Sequence, residues 1–556
     1  MSTSEKGAPN PPNENVAAAQ LTHEIERLAN EMFLGSTHAV PGGGISPGAQ
    51  VQDPHHQAPV PVEALSVPLI DSTPSATPYF LPSMAPENAS SAAPASASAS
   101  ASAPASASAS APASAPATAT GPTPAFATEL SPDLVPDLHS RNSGPPTFDA
   151  HAIKRDFPIL HQNVHGKPLV WLDNAATTQK PNAVIDRISH YYRHENSNVH
   201  RGAHTLAARA TDAYEGARNQ VRRFLNASST DEIVFVRGAT EAINLVAGSW
   251  GRRNIEAGDE IVITHLEHHA NIVPWQMLCR EKNAKLRVAP VDSTGQIILE
   301  EYERLFSSKT KLAAIPQVSN ALGTITPLKD MIEIAHRWGA CVLVDGAQSV
   351  SHMAVDVQQL DCELFVLSGH KIFAPTGIGV LYGKKQILAA MPPWQGGGNM
   401  IADVTFEKTV YQPPPWRFEA GTGSIADAVG LGAALEYVSS LGLPNIARHE
   451  HELRVYAEDC LRTINGLTII GTAKEKAGVI SFVLDGVRTE DVGGMLDQEG
   501  IAVRSGHHCA QPILRRFGLE ATVRASLAPY NTREDIDALV AAVRRIQTGR
   551  PEKIAR

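Results

Sequence analysis

Cysteine is scarce in this chain. Five residues in 556, Cys279, Cys341, Cys362, Cys460 and Cys509, follow no regular spacing and form no CxxC. Neither a disulfide framework nor a zinc site is indicated, and an odd set of scattered thiols suits a reducing cytosol. Long apolar runs are missing too, which argues against a membrane-spanning helix. The opening MSTSEKGAPNPPNEN lacks the basic-then-apolar order of a signal peptide. Basic residues are rare from Met1 to Pro146, where only Lys6, Arg27 and Arg141 occur among many acids. With a net charge of -10, nonspecific binding to nucleic acid is not expected. What is present is length enough for a large core and more than one domain.

Residues 1–146 read as a leader without a core of its own. Ala89 to Pro124 is almost wholly Ala, Ser, Pro and Thr. Such a stretch has nothing large to bury and cannot offset its ordering entropy, so a disordered spacer is expected. Short apolar islands interrupt the leader at 21–34, 60–65 and 78–82. In the first, Leu21, Ile25, Leu28 and Met32 share one helical face, with Thr22 as N-cap and Gly35 as stop. A lone helix of this length is marginal in water, so its stripe needs a partner, either the enzyme itself or another protein.

From Phe148 onward the composition is globular. Apolar runs at 233–236, 260–263, 312–315, 342–344 and 365–367 alternate with helical patterns such as 212–224 and 329–338. This alternation predicts an α/β fold with a mostly parallel sheet flanked by helices. After about residue 410, longer helices and a few strands predict a smaller α+β domain, giving limits of 147–410 and 411–550.

Chemistry gathers at the ends of the predicted strands. Cys341 to Val344 runs into Asp345, and Leu364 to Leu367 runs into Ser368-Gly369-His370-Lys371. A strand-end carboxylate followed by a lysine at the end of the next strand is what a pyridoxal phosphate enzyme needs. The lysine forms the Schiff base and the carboxylate keeps the pyridine nitrogen protonated. Gly238, Ala239 and Thr240 open a helix, which offers N–H groups to a phosphate. His268, in Glu267-His268-His269, can stack on the ring and move protons. A histidine pair could instead bind a metal, but no further ligand group lies close in sequence. Arg504 to Pro512, RSGHHCAQP, places Cys509 on a glycine-bounded loop among His and Arg, where a reactive thiol is expected rather than a packed one. Arg524 can hold a carboxylate in a bidentate pair.

These motifs carry a family resemblance. WLDNAATTQKP (171–181), NSNVHRGAHTLAARAT (196–211), EHHANIVPWQ (267–276), DGAQSV (345–350), SGHKIFAPTGIGVLYG (368–383), FEAGTGS (418–424), RSGHHCAQP (504–512) and RASLAPYNT (524–532) span the region from about 148 to 548. The region resembles the SufS-like (type II) cysteine desulfurases of the aminotransferase class V family. That resemblance implies the fold type I architecture of pyridoxal phosphate enzymes, with a seven-stranded, mostly parallel sheet. It implies pyridoxal 5'-phosphate as cofactor, Lys371 as the Schiff-base lysine, Asp345 opposite the pyridine nitrogen and His268 on the ring. Gln348 would meet the phenolic oxygen. Thr240, Ser368 and His370 would hold the phosphate, joined by Thr422 from the other subunit of a homodimer. Asn320, Arg504 and Arg524 would face L-cysteine, and Cys509 would take its sulfur as a persulfide, leaving L-alanine.

The leader has no counterpart in ordinary members of that family. It resembles the leaders of cargo desulfurases in family 2 encapsulins, which implies a shell-protein partner for residues 1–146 and a cytoplasmic enzyme inside a nanocompartment. Other readings stand beside it. One is an unencapsulated desulfurase that hands sulfur to an acceptor protein for iron–sulfur clusters. Another is a selenocysteine lyase. A third is a scaffold that kept the fold and lost the chemistry, which would need none of Lys371, Asp345, His268 or Cys509.

Overall fold

A computed structural model describes residues 148–200 and 204–549. The expected helix at 21–34, the islands at 60–65 and 78–82 and the spacer all lie outside the described residues.

The main sheet has seven strands: β1 (Ile233–Val236), β2 (Glu260–Thr264), β3 (Lys285–Ala289), β4 (Thr310–Pro316), β5 (Cys341–Asp345), β6 (Leu364–Ser368) and β7 (Gly379–Gly383). Their order is β1-β7-β6-β5-β4-β2-β3. Only β7 runs against its neighbours in this sheet. Strands β1, β2, β6 and β7 are buried at every position, as expected for a sheet covered on both faces. Successive side chains point to opposite faces. Ile233, Phe235, Val342, Val344, Phe365 and Leu367 therefore enter one core, while Val234, Val236, Leu343, Leu364 and Val366 enter the other. The first core is closed by helices Asn182–His194, Thr205–Phe224, Leu328–Arg337 and Ile425–Leu441, the second by Ala239–Val246 and Val273–Lys282. The strands expected at 233–236, 260–263, 312–315, 342–344 and 365–367 all form, and so do the helices expected around 212–224 and 329–338.

A second sheet contains β8 (Leu467–Ile470), β9 (Val479–Leu484), β10 (Arg504–Gly506) and β11 (Thr522–Ser526) in the antiparallel order β8-β9-β11-β10. Helices Leu443–Arg462, Thr489–Asp497 and Arg533–Thr548 cover it. Its core also takes Val170 and Leu172 from the start of the globular region. Val170–Trp171 pairs in parallel with Ile501–Ala502, and Asp173 bridges to Ser526. The segment 170–173 thus ties the beginning of the fold to its last sheet. The helix Ile425–Leu441, although it follows residue 410, packs with the main-sheet helices. The carboxyl ends of β2, β4, β5 and β6 carry His268, Asn320, Asp345 and Lys371, where open α/β sheets bind their ligands.

Candidate active site

A cavity of about 210 Å³ is lined by Thr240, His268, Asn320, Asp345, Ser368, His370, Lys371, Arg504 and Arg524, with Ala175, Ala176, Ala239, Ala270 and Ala347 as its small walls. Nine of the predicted site residues therefore meet in one place.

Asp345 ends β5, and its Oδ1 accepts the Ala347 N–H at 2.9 Å. Burial pushes its carboxyl above the usual range, only partly opposed by that bond and by Lys371. Lys371 ends the short turn Gly369–Lys371 directly after β6. Burial pushes its amine down to about 8; Asp345 and Cys509 resist that shift, while Arg524 and Arg504 add to it. His268 accepts the Ala270 N–H at Nδ1, 3.0 Å away, so a neutral ring carries its proton on Nε2. Burial first, and then Lys371 and the neighbouring cations, depress its pKa to about 3 and keep that ring neutral. Beneath it, Glu267 is wholly buried and accepts from Thr264 and Asn271, whose own Oδ1 holds Trp275 Nε1 at 2.8 Å.

Ala239 and Thr240, the first residues of helix Ala239–Val246, line the same cavity. The Ala239 N–H donates to Ser368 Oγ at 2.9 Å. The turn before the helix must lie close to the sheet. A Cβ on Gly379 would sit 2.5 Å from Gly238 Cα, and one on Gly238, at φ 155°, would sit 3.2 Å from Ser368 Oγ. The two glycines let the turn before the helix pack directly on the strand ends.

The opposite wall comes from the second sheet. Arg524, on β11, is buried; its Nη1 donates to the Asn320 carbonyl at 2.8 Å and its Nη2 to Asp173 Oδ1 at 3.2 Å. Arg504 Nε lies 3.8 Å from the other Asp173 oxygen. Among the described residues, Arg524 Nε and Asn320 Oδ1 are buried without a hydrogen-bond partner. Leaving such atoms unpaired costs about 1–3 kcal/mol each, so a donor-and-acceptor site is being held ready for a ligand. The Asn320 amide donates to the His508 carbonyl at 2.6 Å, joining this wall to the cysteine loop.

That loop has unusual backbone. His508 and Cys509 are both left-handed, with φ 52° and 54°, and Gly506 has φ 122°. Residues other than glycine enter this region at a cost, so the loop needs external anchors. The His269 N–H donates to the Cys509 carbonyl at 2.8 Å, and the Gln511 N–H donates to His269 Nε2 at 3.2 Å. His507 Nδ1 accepts the Cys509 N–H at 3.1 Å, and His508 Nε2 meets Thr522 Oγ1 at 2.8 Å. Cys509 itself is half-buried. Burial pushes Cys279 up to about 11 and Cys362 up to about 12, so those thiols are packing groups.

Three predicted residues stand apart from the lining: Cys509, on the loop just described, Gln348 and Thr422. Gln348 lies behind the cavity and donates to the Ala175 carbonyl at 2.6 Å. Thr422 lines a separate cavity of about 500 Å³ beside Arg237, Glu241 and Trp394, so this chain alone does not bring it to Lys371. Its loop is fastened by Glu419, which takes the buried Arg218 at 2.7 Å and the Phe235 N–H at 2.7 Å. Sequence reasoning passed over Asp173 and Glu267. Each is a carboxylate set against an apolar run (LVWLD, and ITHLE after β2), which is the signal that could have marked them.

The lining fits pyridoxal 5'-phosphate. It offers a desolvated amine, an enclosed carboxyl group with a free oxygen, a neutral imidazole and the start of a helix at Ala239 and Thr240. Known proteins agree with this chemistry. The aminotransferase class-V family model matches residues 170–539. The chain is 68% identical over 421 residues to a cysteine desulfurase of Synechococcus elongatus, covering 76% of this chain and 67% of that protein. It is 54% identical over 401 residues to a cysteine desulfurase of Salmonella agona, covering 72% of this chain and 98% of that one. Among solved structures, the cysteine desulfurase CsdA of Escherichia coli superposes with a TM-score of 0.67 at 40% identity, over 72% of this chain and 98% of that one. The apo cysteine desulfurase of Thermococcus onnurineus gives 0.69 at 36% identity, with the same coverage of 72% and 98%.

Proposed function

Because the chain belongs to the aminotransferase class-V family, and within it to the cysteine desulfurases, we propose that it converts L-cysteine to L-alanine and keeps the sulfur as a persulfide on Cys509. Pyridoxal 5'-phosphate is the cofactor of these enzymes. Lys371 would attach it, Asp345 would face its ring nitrogen, His268 its ring, and Thr240, Ser368 and His370 its phosphate. When bound, it supplies an electron sink next to the amino acid's Cα.

The remaining work falls to side chains. Arg524 and Asn320 present the unpaired Nε and Oδ1 that a substrate carboxylate and amine can take up, which orients the substrate sulfur toward the cysteine loop. The Lys371 amine, depressed to about 8, has a free-base fraction near neutral pH that an ordinary lysine lacks, and it can carry a proton to and from Cα. Cys509 Sγ attacks the substrate sulfur, so an S–S bond forms as the Cβ–S bond breaks, and Cβ is protonated to a methyl group. The observation that carries this reading is the pair of buried orphan atoms, Arg524 Nε and Asn320 Oδ1, on two residues that line the same cavity as Lys371. The test is to incubate the holoenzyme with cysteine and measure alanine together with the mass of the Cys509 peptide. Alanine with a 509 persulfide is expected; alanine without modified Cys509 would refute the assignment.

The enzyme is of the SufS-like type. It works as a homodimer in which Thr422 of each chain completes the other's phosphate site, a reading supported by the distance of Thr422 from its own Lys371 cavity. Residues 1–146 dock it inside an encapsulin shell in the cytoplasm. The docking reading rests on the leader's composition and islands, and the Synechococcus relative likewise extends beyond the matched region, which covers 67% of it. Size fractionation of lysate, with and without residues 1–146, tests it. Activity in a megadalton particle that is lost on truncation is expected. Activity at dimer size in both cases would leave a free desulfurase serving an acceptor protein.

A further inference from the structure

One backbone oxygen beside Lys371 collects an unusual number of donors. The His370 carbonyl accepts from the Thr178 N–H at 2.9 Å, Thr177 Oγ1 at 3.0 Å, Thr178 Oγ1 at 3.1 Å and Lys180 Nζ at 3.3 Å. All four come from the TTQK segment, which lies nearly two hundred residues earlier in the chain. A carbonyl oxygen has two lone pairs, so the donors share it and hold it from several directions. Thr178 is buried and does more. Its Oγ1 also accepts the Phe373 N–H at 2.7 Å, which orients its own proton toward His370. One hydroxyl thus bridges the residues on either side of Lys371-Ile372. Phe373 is left-handed, with φ 63°, a conformation a bulky residue adopts only when surroundings impose it. Rings of Phe157 and Tyr530 pack against it, at 5.9 and 6.1 Å between centroids.

Lys180 adds a charge. Its half-buried ammonium also donates to the Thr178 carbonyl, and no carboxylate lies within ion-pair distance of it among the described residues. A cation desolvated without a counter-ion is costly, and burial drags its pKa down to about 8. The segment that surrounds the lysine turn is therefore polar, enclosed and strained, and a purely apolar contact would have packed at lower cost.

We propose that Thr177, Thr178 and Lys180 form a positioning clamp that fixes the His370–Lys371 peptide, so that the Lys371 amine is held toward the cavity for covalent attachment of the cofactor. The clamp rests on the reading that Lys371 carries the cofactor. None of the three touches the reacting atoms, so they are positioning residues. The test uses the full-length holoenzyme and four variants: Thr178→Val, Lys180→Met, and the conservative Thr178→Ser and Lys180→Arg. Three things are read: cofactor release during dialysis against a competing amine, hydrogen exchange of the 369–376 peptide, and kcat with KM. For Thr178→Val, release and exchange should rise about tenfold and kcat fall about tenfold with KM within twofold, the range expected for a misplaced reactive group. Lys180→Met should move the same way by less, and the serine and arginine variants should return to within about twofold of wild type. If Thr178→Val unfolds, Lys180→Met, at a half-buried position, decides the matter. Unchanged release and exchange in a folded Lys180→Met and Thr178→Val would overturn the clamp. A Lys371→Ala protein that still carries reductively trapped cofactor elsewhere would remove the premise instead, whatever the clamp variants do.

Discussion

The two walls of the cavity are built differently. The main-sheet wall sets Asp345 and Lys371 at the ends of adjacent parallel strands that are buried at nearly every position. The second-sheet wall sets Arg524 on a strand, and Cys509 sits outside the lining on a loop with two left-handed residues, held by side-chain and backbone hydrogen bonds. The first wall must keep a cofactor's charges in place through a cycle. The second must reach a sulfur atom and then present it elsewhere. A strand end gives rigidity through packing, whereas an anchored loop gives reach.

The contrast can be broken most decisively by removing one group from each wall. Lys371→Ala should lose at least about a thousandfold in alanine formation, together with the visible absorbance of the attached cofactor. Cys509→Ser should also lose persulfide formation but keep that absorbance and its response to cysteine. Loss of the cofactor band in Cys509→Ser would show that the walls are not independent.

Asp345→Asn separates chemistry from stability on the rigid wall. The folded protein raises the Asp345 pKa, so its contribution is most favourable below the unfolded pKa, near 4, and is lost as pH rises through the folded value. Keeping this carboxyl buried therefore costs the cofactor-free protein more at pH 7 than near pH 4. Asp345→Asn should therefore raise the cofactor-free Tm at pH 7, with the gain shrinking toward pH 4, while kcat of the holoenzyme falls about a hundredfold or more. A lower Tm at pH 7 would show that the carboxylate is already well paired.

Lys371 gives a smaller and sharper readout. Its amine is depressed to about 8, so labelling of the cofactor-free protein at Lys371 by a small acylating reagent should rise with a midpoint near pH 8, not near the ordinary 10.5. Because the folded value is lowered, stability from this group grows as pH climbs through about 8 and is complete above the unfolded value. Mass spectrometry of the 371 peptide across pH checks it; a midpoint near 10.5 would mean water reaches the amine freely.

The rigid wall was also the more legible in sequence. Strands β5 and β6 are apolar runs that end abruptly in Asp345 and in Ser368-Gly369-His370-Lys371, and burial on both faces leaves that pattern intact. Strand β3 was not visible, because it is an edge strand whose Lys285, Arg287 and Val288 face outward. The Arg524–Asp173–Arg504 cluster joins residues more than 330 positions apart, and no local spacing announces such a meeting. Lys180 looks like any surface lysine until the His370 carbonyl is placed beside it. Thr422 was read through resemblance, and one chain alone leaves it at a separate cavity.

The looser wall yields to the gentlest change. His269 does not line the cavity, yet its N–H holds the Cys509 carbonyl and its Nε2 takes the Gln511 N–H. His269→Ala keeps the first of these bonds, which is main-chain, and removes the second. A lost hydrogen bond at a half-buried site is worth about 1 kcal/mol, roughly fivefold in the population of the correct loop. Persulfide formation should slow by about that factor, with the cofactor spectrum, the KM for cysteine and the pH dependence of Lys371 labelling unchanged. His269→Gln, whose amide oxygen can accept the Gln511 N–H, should recover most of the loss. If instead the spectrum or the labelling midpoint moved with His269, the cysteine loop would be coupled to the strand-end wall, and the division of labour between the two walls would fail.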